Sequence, residues 1–509
     1  MTVPVSSAKC PDQRLALVAG LAVAAFHLLF AGRYDLFRDE LYFIVCGQHP
    51  AFGYVDQPPG VPLLAAGLFK LGWGAFGLRV PTALAGGALV WLAMRFARLL
   101  GGGRLAQAMA GLACALAPML MGIVATLNTS AFEPLAWTAL AYLLVKAGRE
   151  GDDRALLGAG LLVGLTLEIK YAMLFWMVGL TAGLLVTPGR VLLRRPALWG
   201  GVAIAAIIAV PSFLWQYAHG FPFLELAAAA KGKNAAVDAV PFLVNQVLVM
   251  NPAFAPLWIA GLAAPFLARR LADLRFLVIG AVVVIVIVRL GHGKDYYLAP
   301  LYPTLFVIGA TALAPWVKSM PAKVGVAAVA TAAVIVAALA APLALPILSP
   351  AALERYVRAT GLAPQQQERS FAGTALPQSM ADQLGWRDFA RQVDAAWARI
   401  PAPERAVTAI KVDNYGEAAA LDLYGHGLPP ALSGHNQYYL WGLRGQHPIH
   451  VLSVQDDLAA MQPYCRKVTL LGQTWSRYAM AYENGKVIAL CENVKPSLTE
   501  MWPDLKNFS

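Results

Sequence analysis

The sequence predicts a mainly α membrane protein: a polytopic bundle of about eleven spans followed by a smaller α/β domain outside the membrane. Composition is the first of three reasons. Of 509 residues, 58% are hydrophobic and 14% charged, whereas soluble domains carry roughly 25% charged residues. The second is the presence of apolar runs such as Ala281–Val288 and Val324–Leu345, which a soluble core does not need. The third is that basic residues cluster in short segments between such runs, as cytosolic loops do.

The spans are predicted at residues 15–32, 78–100, 105–123, 131–146, 155–169, 171–187, 198–217, 252–268, 275–291, 298–316 and 324–347. Each is close to the roughly 20 apolar residues that cross a bilayer with every backbone group satisfied internally. With the N-terminus inside, the cytosolic segments hold 16 Lys/Arg against 5 Asp/Glu. The outer segments before residue 350 balance. This segregation predicts a cytoplasmic N-terminus and, by parity, residues 350–509 outside the membrane. The first run could also be read as a cleaved signal peptide, but removing it would invert the parity that the loop charges support.

The same distribution accounts for the net charge of +11. Residues 350–509 hold 15 basic and 15 acidic side chains, so the excess belongs to residues 1–349. A nucleic-acid partner is thereby excluded, and membrane lipid is the expected contact. Two domains follow, 1–349 in the membrane, with a first outer loop at 33–77, and 350–509 outside it.

In the outer domain, Gln378–Ile400 is amphipathic, with Leu384, Trp386, Phe389, Val393 and Trp397 on one stripe, the pattern of a helix packed on a core. Short β-type runs follow at Val407–Val412, Ile449–Val454, Val468–Leu471, Tyr478–Tyr482 and Val487–Cys491. Cys10 is assigned to the cytosol, Cys46 to the outer surface and Cys114 to a span. Cys465 and Cys491 share an oxidising compartment and are expected to form a disulfide. The polar, aromatic stretch Ser433–Gly442 reads either as a sugar-holding surface loop or as a tyrosine-rich hairpin.

The ionisable residues His27, Glu133, Glu168, Lys170, Arg289 and Lys294 fall at outer span ends, and none is clearly at mid-membrane. Midplane charges mark transport paths, whereas charges gathered at one surface suit a reaction chamber that a lipid phosphate can reach. Two loops stand out. The first carries Arg38-Asp39-Glu40 and, 17 residues on, Asp56; carboxylates there could take a proton from an incoming hydroxyl or hold polar groups and a divalent metal. They could equally cap a helix and open a turn before Pro58-Pro59. The second, His292-Gly293-Lys294-Asp295-Tyr296-Tyr297, offers phosphate ligands, or plain interfacial anchors.

Arg38-Asp39-Glu40 with Tyr42, Tyr54-Val55-Asp56-Gln57-Pro58-Pro59, and Lys294 with Tyr296-Tyr297-Leu298 and Pro300 together resemble glycosyltransferase family 39 of the GT-C fold. That group includes the bacterial aminoarabinose transferases of lipid A and the protein O-mannosyltransferases. Asn128–Trp137, Trp215-Gln216, Asn251-Pro252, Asp413–Glu417 and His435-Asn436 look like one bacterial branch of it. The resemblance implies a GT-C bundle in which Asp39 is the essential acid and general base, Glu40 its companion and Asp56 the acid of the second motif. Lys294 and Tyr297, with Tyr296 and His292, would meet the carrier phosphate, and Tyr54, His435 and Asn436 the acceptor. One position departs: Gln57 stands where the aminoarabinose enzymes have a lysine phosphate ligand. That bears on both the donor sugar and the first-loop phosphate contact, and Arg79, Lys170 or Lys294 becomes the candidate to supply the charge.

The expected activity is inverting transfer of a sugar from a polyprenyl-phosphate donor to an envelope lipid, glycan or protein. A flippase for the same lipid would need polar residues deep in the spans, which the sequence largely lacks. A non-catalytic wall-binding protein would leave the Asp39-Glu40 and Asp56 pattern without a purpose.

Overall fold

The computed structural model describes residues 11–233, 239–362 and 373–508; Cys10 lies outside them. The bundle begins with α1 (Pro11–Leu28), two short helices α2 (Arg38–Gln48) and α3 (Gly60–Phe69), the long α4 (Gly74–Leu99), α5 (Arg104–Leu116) and α6 (Pro118–Ile123). It continues with α7 (Glu133–Glu150), α8 (Asp153–Leu167), α9 (Met173–Leu185), α10 (Pro196–Ala218), α11 (Pro222–Lys233) and α12 (Ala239–Val249). It ends with α13 (Ala255–Leu267), α14 (Arg275–Leu290), α15 (Tyr302–Leu313) and α16 (Met320–Ala344).

Every predicted span carries a helix or a helix pair, but their lengths are uneven. Among the described residues, five helices are long and apolar enough to cross a membrane unaided, or up to seven if two bent pairs each count as one span. The eleven expected crossings are thus of uneven length, and several are short or broken. Prolines are one reason: Pro118 opens α6 just after α5 ends, and Asn251-Pro252 bends the α12–α13 pair by 97°. A proline cannot donate the intrahelical hydrogen bond that would carry the helix through. Asn251 holds that bend in a left-handed conformation (φ 69°) while its amide donates to the Leu116 and Ala333 carbonyls.

Helices meet through glycine. A Cβ on Gly160 would lie 2.0 Å from the Gly201 carbonyl oxygen, one on Gly183 2.1 Å from that of Phe276, and one on Gly309 1.9 Å from that of Leu257. These contacts join α8 to α10, α9 to α14 and α13 to α15. In an apolar solvent helices are held by close van der Waals packing, and only small residues permit it.

The two ends of the bundle differ. At one end Arg149 pairs with Asp273 and reaches the Leu99 carbonyl, while Arg195 reaches those of Ala147 and Gly151, so the basic loops gather there. At the other end, one length of α4 away, Tyr34 donates to the Leu348 carbonyl. That contact joins the start of the first loop to the segment leaving α16.

The chain then forms α17 (Pro350–Thr360), α18 (Gln378–Ala381), α19 (Trp386–Ala398), α20 (Ala402–Arg405), α21 (Tyr415–Tyr424) and α22 (Gln437–Trp441). These surround a sheet of β1 (Thr408–Val412), β2 (His450–Gln455), β3 (Cys465–Gln473) and β4 (Val487–Val494), in the order β1-β2-β4-β3. β1 and β2 run parallel and the other pairs antiparallel. The stripe Trp386, Phe389, Val393 and Trp397 is buried. Gly385, at φ 90°, separates α18 from α19 within the predicted amphipathic segment. Cys465 and Cys491 form a disulfide with Cα atoms 5.2 Å apart. The predicted strand at Tyr478–Tyr482 is instead a turn. Met480 leaves the sheet to pack with Tyr34, Leu353 and Met380, which carries Tyr482 down to the first loop.

The glycine contacts give a direct test. Gly160→Leu is expected to lower the melting temperature in detergent by several degrees, because overpacking forces α8 from α10. Gly158→Leu on the same helix meets nothing within 4 Å and is expected to melt normally. Equal melting of the two variants would refute the packing.

Candidate active site at the first outer loop

α2 begins where its cap demands. Its first turn brings Asp39 and Glu40 side by side in sequence but sends them to different surroundings. Glu40 is fully buried, and its Oε2 accepts the Phe37 N–H at 2.8 Å, closing the helix N-terminus. Its Oε1 accepts the Leu127 N–H at 2.8 Å, and both oxygens meet the Arg79 guanidinium at 3.1 and 2.9 Å. Arg79, 1% exposed, also donates to the Ala31 and Asp35 carbonyls, each at 2.7 Å. Capping and bracing therefore account for Glu40, which has no open face for an acceptor. Arg79 is corrected as a phosphate ligand: its donors are taken up inside the fold.

Asp39 has a different setting. Its side chain is 31% exposed, and Oδ1 accepts a 2.8 Å hydrogen bond from the Tyr415 hydroxyl of α21, with Arg38 Nε 3.6 Å away. Arg38 is aimed by the outer domain, donating to the Tyr482 hydroxyl at 2.7 Å and lying over the Tyr415 ring. Asp56 lies close enough to Asp39 to feel its charge. It accepts a 2.9 Å bond from the Tyr42 hydroxyl, which in turn accepts the Gln437 N–H. Burial pushes the Asp56 carboxyl up to about 7, with the Tyr42 bond opposing the shift and the nearby Asp39 adding to it. The Tyr42 and Tyr415 rings lie against each other, centroids 4.6 Å apart.

The basic side of the site is also assembled. Lys170 pairs with Glu133 at 2.7 Å, meets the Ser130 hydroxyl, and faces the rings of Tyr297 and Tyr296 at 5.2 and 6.0 Å. Tyr296 is within electrostatic range of both Asp39 and Glu133. The structure thus brings Lys170, Tyr296 and Tyr297 to the Asp39 side. Lys294, half-buried, immediately precedes the helical turn Asp295–Leu301 that carries the two tyrosines. His292 is exposed in the preceding turn at φ 55°.

The expected acceptor residues are placed differently. Tyr54 is buried and its hydroxyl donates to the Cys46 and His49 carbonyls, so it staples α2 to its own loop. The Ser433–Gly442 stretch is neither a surface loop nor a hairpin. His435 and Asn436 are buried, His435 against the Tyr415 ring, and the backbone of Asn436 bonds to that of Asn507. The stretch underlies the carboxylates, because Gln437 Oε1 accepts the Val55 N–H beside Asp56. Gln57 is buried, on a loop whose backbone is further held by Gln216 donating to the Tyr54 carbonyl at 2.8 Å. Asn128 caps the turn before α7. Among the described residues no three His, Cys, Asp or Glu side chains are grouped to hold a metal ion.

Sequence reasoning missed Asp35, Tyr415 and Tyr482. Asp35 binds Arg387 and accepts from the Tyr424 hydroxyl, so it ties the loop to α19 and α21.

Set against solved structures, the architecture is that of ArnT from Cupriavidus metallidurans. The structure bound to undecaprenyl phosphate matches with a TM-score of 0.60 at 17% identity, covering 94% of this chain and 98% of that one. The chain has the GT-C fold. The apo ArnT structure matches with a TM-score of 0.59 at 17% identity, over 94% and 97% of the two chains. The mycobacterial arabinofuranosyltransferase AftD matches at 0.47 and 16% identity, over 84% of this chain and 33% of that one. Residues 56–215 match the dolichyl-phosphate-mannose-protein mannosyltransferase family, a stretch that holds Asp56, Gln57, Arg79 and Lys170 but not Asp39. No curated protein matches the sequence at a significant level.

The Glu40–Arg79 assignment is tested by truncation. Glu40→Ala leaves a buried guanidinium without its partner and is expected to cost about 3–5 kcal/mol, read as a large drop in thermal stability in detergent. Normal melting with abolished activity would instead give Glu40 a chemical role.

Proposed function

We propose that the chain is a glycosyltransferase of the bacterial inner membrane that moves a sugar from a polyprenyl-phosphate donor to a hydroxyl of an envelope lipid, glycan or protein. Its carrying observation is the placement of Asp39: a partly exposed carboxylate, held by the Tyr415 hydroxyl and within electrostatic range of Tyr296, which with Tyr297 lies against Lys170. The undecaprenyl phosphate in the ArnT complex supports a donor of the same chemical kind. The basic loops gathered at the opposite end support a periplasmic site, since such loops stay in the cytosol.

In this reading Asp39 takes the acceptor's proton as its oxygen attacks the anomeric carbon. The bond from that carbon to the phosphate oxygen breaks, the polyprenyl phosphate leaves with the electron pair, and a single displacement inverts the anomeric centre. The leaving phosphate needs positive charge in a site of low dielectric. Lys170 is paired with Glu133, and Lys294, on the same loop as Tyr296 and Tyr297, is the second cation proposed to meet the phosphate. Asp56 is set apart by its environment. With its carboxyl raised to about 7, a large fraction of it keeps its proton near neutrality, which suits it to hold a hydroxyl in place rather than to remove a proton. Two nearby carboxyls in unlike surroundings divide acid–base work in this way.

Purified protein, a polyprenyl-phosphate sugar and a membrane acceptor fraction test the assignment. Asp39→Asn is expected to keep its fold and donor affinity but lose about 10²- to 10⁴-fold in rate, the usual value of a general base. Asp56→Asn, which resembles the protonated acid, is expected to lose less. An Asp39→Asn protein working within about tenfold of the native rate would remove Asp39 from the base role.

A further inference from the structure

The outer domain does more than cover the site. We infer that Tyr415 is a positioning residue for Asp39, holding its carboxylate aimed, so that the outer domain completes the active site. The inference rests on the general-base reading of Asp39.

Four observations carry it. The first is the Tyr415–Asp39 hydrogen bond itself, 2.8 Å across a sequence separation of 376 residues. The second is that the tyrosine is fixed from behind. Asn414 caps α21 by accepting the Gly416 and Glu417 N–H groups at 2.9 and 3.0 Å, and Glu417 returns to the Asp413 N–H at 2.8 Å. Glu417, fully buried, is in turn held by Lys486 at 2.9 Å, whose ammonium also meets Asp413 at 3.1 Å. A buried lysine among three carboxylates, Asp413, Glu417 and Asp456, is a costly arrangement to maintain for a surface lid, and its effect here is to lock the helix end that carries Tyr415.

The third is how closely the chain must pass. A Cβ on Gly416 would lie 2.5 Å from Arg38 Cγ and 2.9 Å from its Cδ, so glycine at this position lets α21 approach near enough for the Tyr415 hydroxyl to reach Asp39. The fourth is that the same domain aims the charge beside Asp39, through Tyr482 on Arg38. A donor hydroxyl on Oδ1 fixes how the carboxylate is turned and leaves Oδ2 for the acceptor's proton.

The groups facing Asp39 are Arg38 on its own helix, Asp56 beyond α2, Tyr296 on the turn Asp295–Leu301, and Tyr415 on α21. Of these, only the Tyr415 hydroxyl is hydrogen-bonded to the carboxylate. Removing it therefore frees the Asp39 side chain to turn away from the acceptor, which lowers kcat more than it changes donor KM.

Tyr415→Phe in the full-length protein is expected to lower kcat about tenfold or more, with donor KM and melting temperature little changed. A lowered melting temperature with kcat unchanged would make Tyr415 a docking contact only and overturn the proposal. Gly416→Ala, whose Cβ would lie 2.5 Å from Arg38 Cγ, is expected to lower kcat in the same way. An unchanged kcat there would also overturn it, even if the phenylalanine variant failed to fold. Asp39→Asn in the same series separates the two claims. An inactive Asp39→Asn with an unchanged kcat in the Tyr415 and Gly416 variants defeats the positioning role alone, whereas an active one defeats the base reading.

Discussion

The buried ion pair between Glu40 and Arg79 is the constraint on which the candidate site depends. Two adjacent acids leave the first turn of α2, and one of them is spent inside the fold. Its oxygens close the helix cap, accept the Leu127 backbone and neutralise a guanidinium that also gathers the Ala31 and Asp35 carbonyls. One carboxylate and one guanidinium thus connect α1, the first loop, α4 and the segment before α7. Such a pair contributes little net stability compared with apolar packing of the same volume, yet either half alone is very costly. Its effect is to set where α2 starts and how it is rotated. Asp39, one position earlier on the helix, is then left partly exposed beside Tyr415.

The outer domain is bound into the same arrangement. Leu41, Ile44 and Val45 of α2 share one apolar core with Phe389, Val393, Ala418 and Leu452 of the outer domain. Burying these side chains together is worth of the order of 1.5–3 kcal/mol for each large residue. Polar contacts ring that core, with Asp35 to Arg387 and Tyr424, Arg38 to Tyr482 and Tyr42 to Gln437. The domain that would cap the chamber is therefore also part of what holds its carboxylates, and a change in its packing is felt at Asp39 and Asp56.

Much of this was legible in the sequence, and the remainder was hidden for identifiable reasons. Apolar runs must be near bilayer length, so the order of helices followed from hydropathy, although the breaks at Pro118 and Asn251 did not. The strands at 408–412, 450–455 and 487–494 could be read because β-branched runs between turns have few alternatives. Tyr478–Tyr482 failed because its alternation is satisfied by packing on Tyr34 instead of on a neighbouring strand. The roles of Asp39 and Glu40 could not be separated, since neighbours on a helix point about 100° apart and only the partner on α4 decides which faces inward. Tyr54, His435 and Asn436 were chosen as sugar-binding types, but the same aromatic and amide groups satisfy buried backbone here. Tyr415 lay in a motif already singled out, yet nothing local points it at Asp39.

The account's central claim is spatial: the carrier phosphate sits beside Lys170, Tyr296 and Tyr297, with its sugar between it and Asp39. The most direct measurement is an experimental structure of the full-length protein with a polyprenyl phosphate bound. The account predicts phosphate density within contact of Lys170 or Lys294, on the side facing Asp39, with the lipid tail leaving between helices toward the bilayer. Phosphate bound at the opposite, basic end of the bundle, or at this end with the Glu40–Arg79 pair opened to receive it, would contradict it.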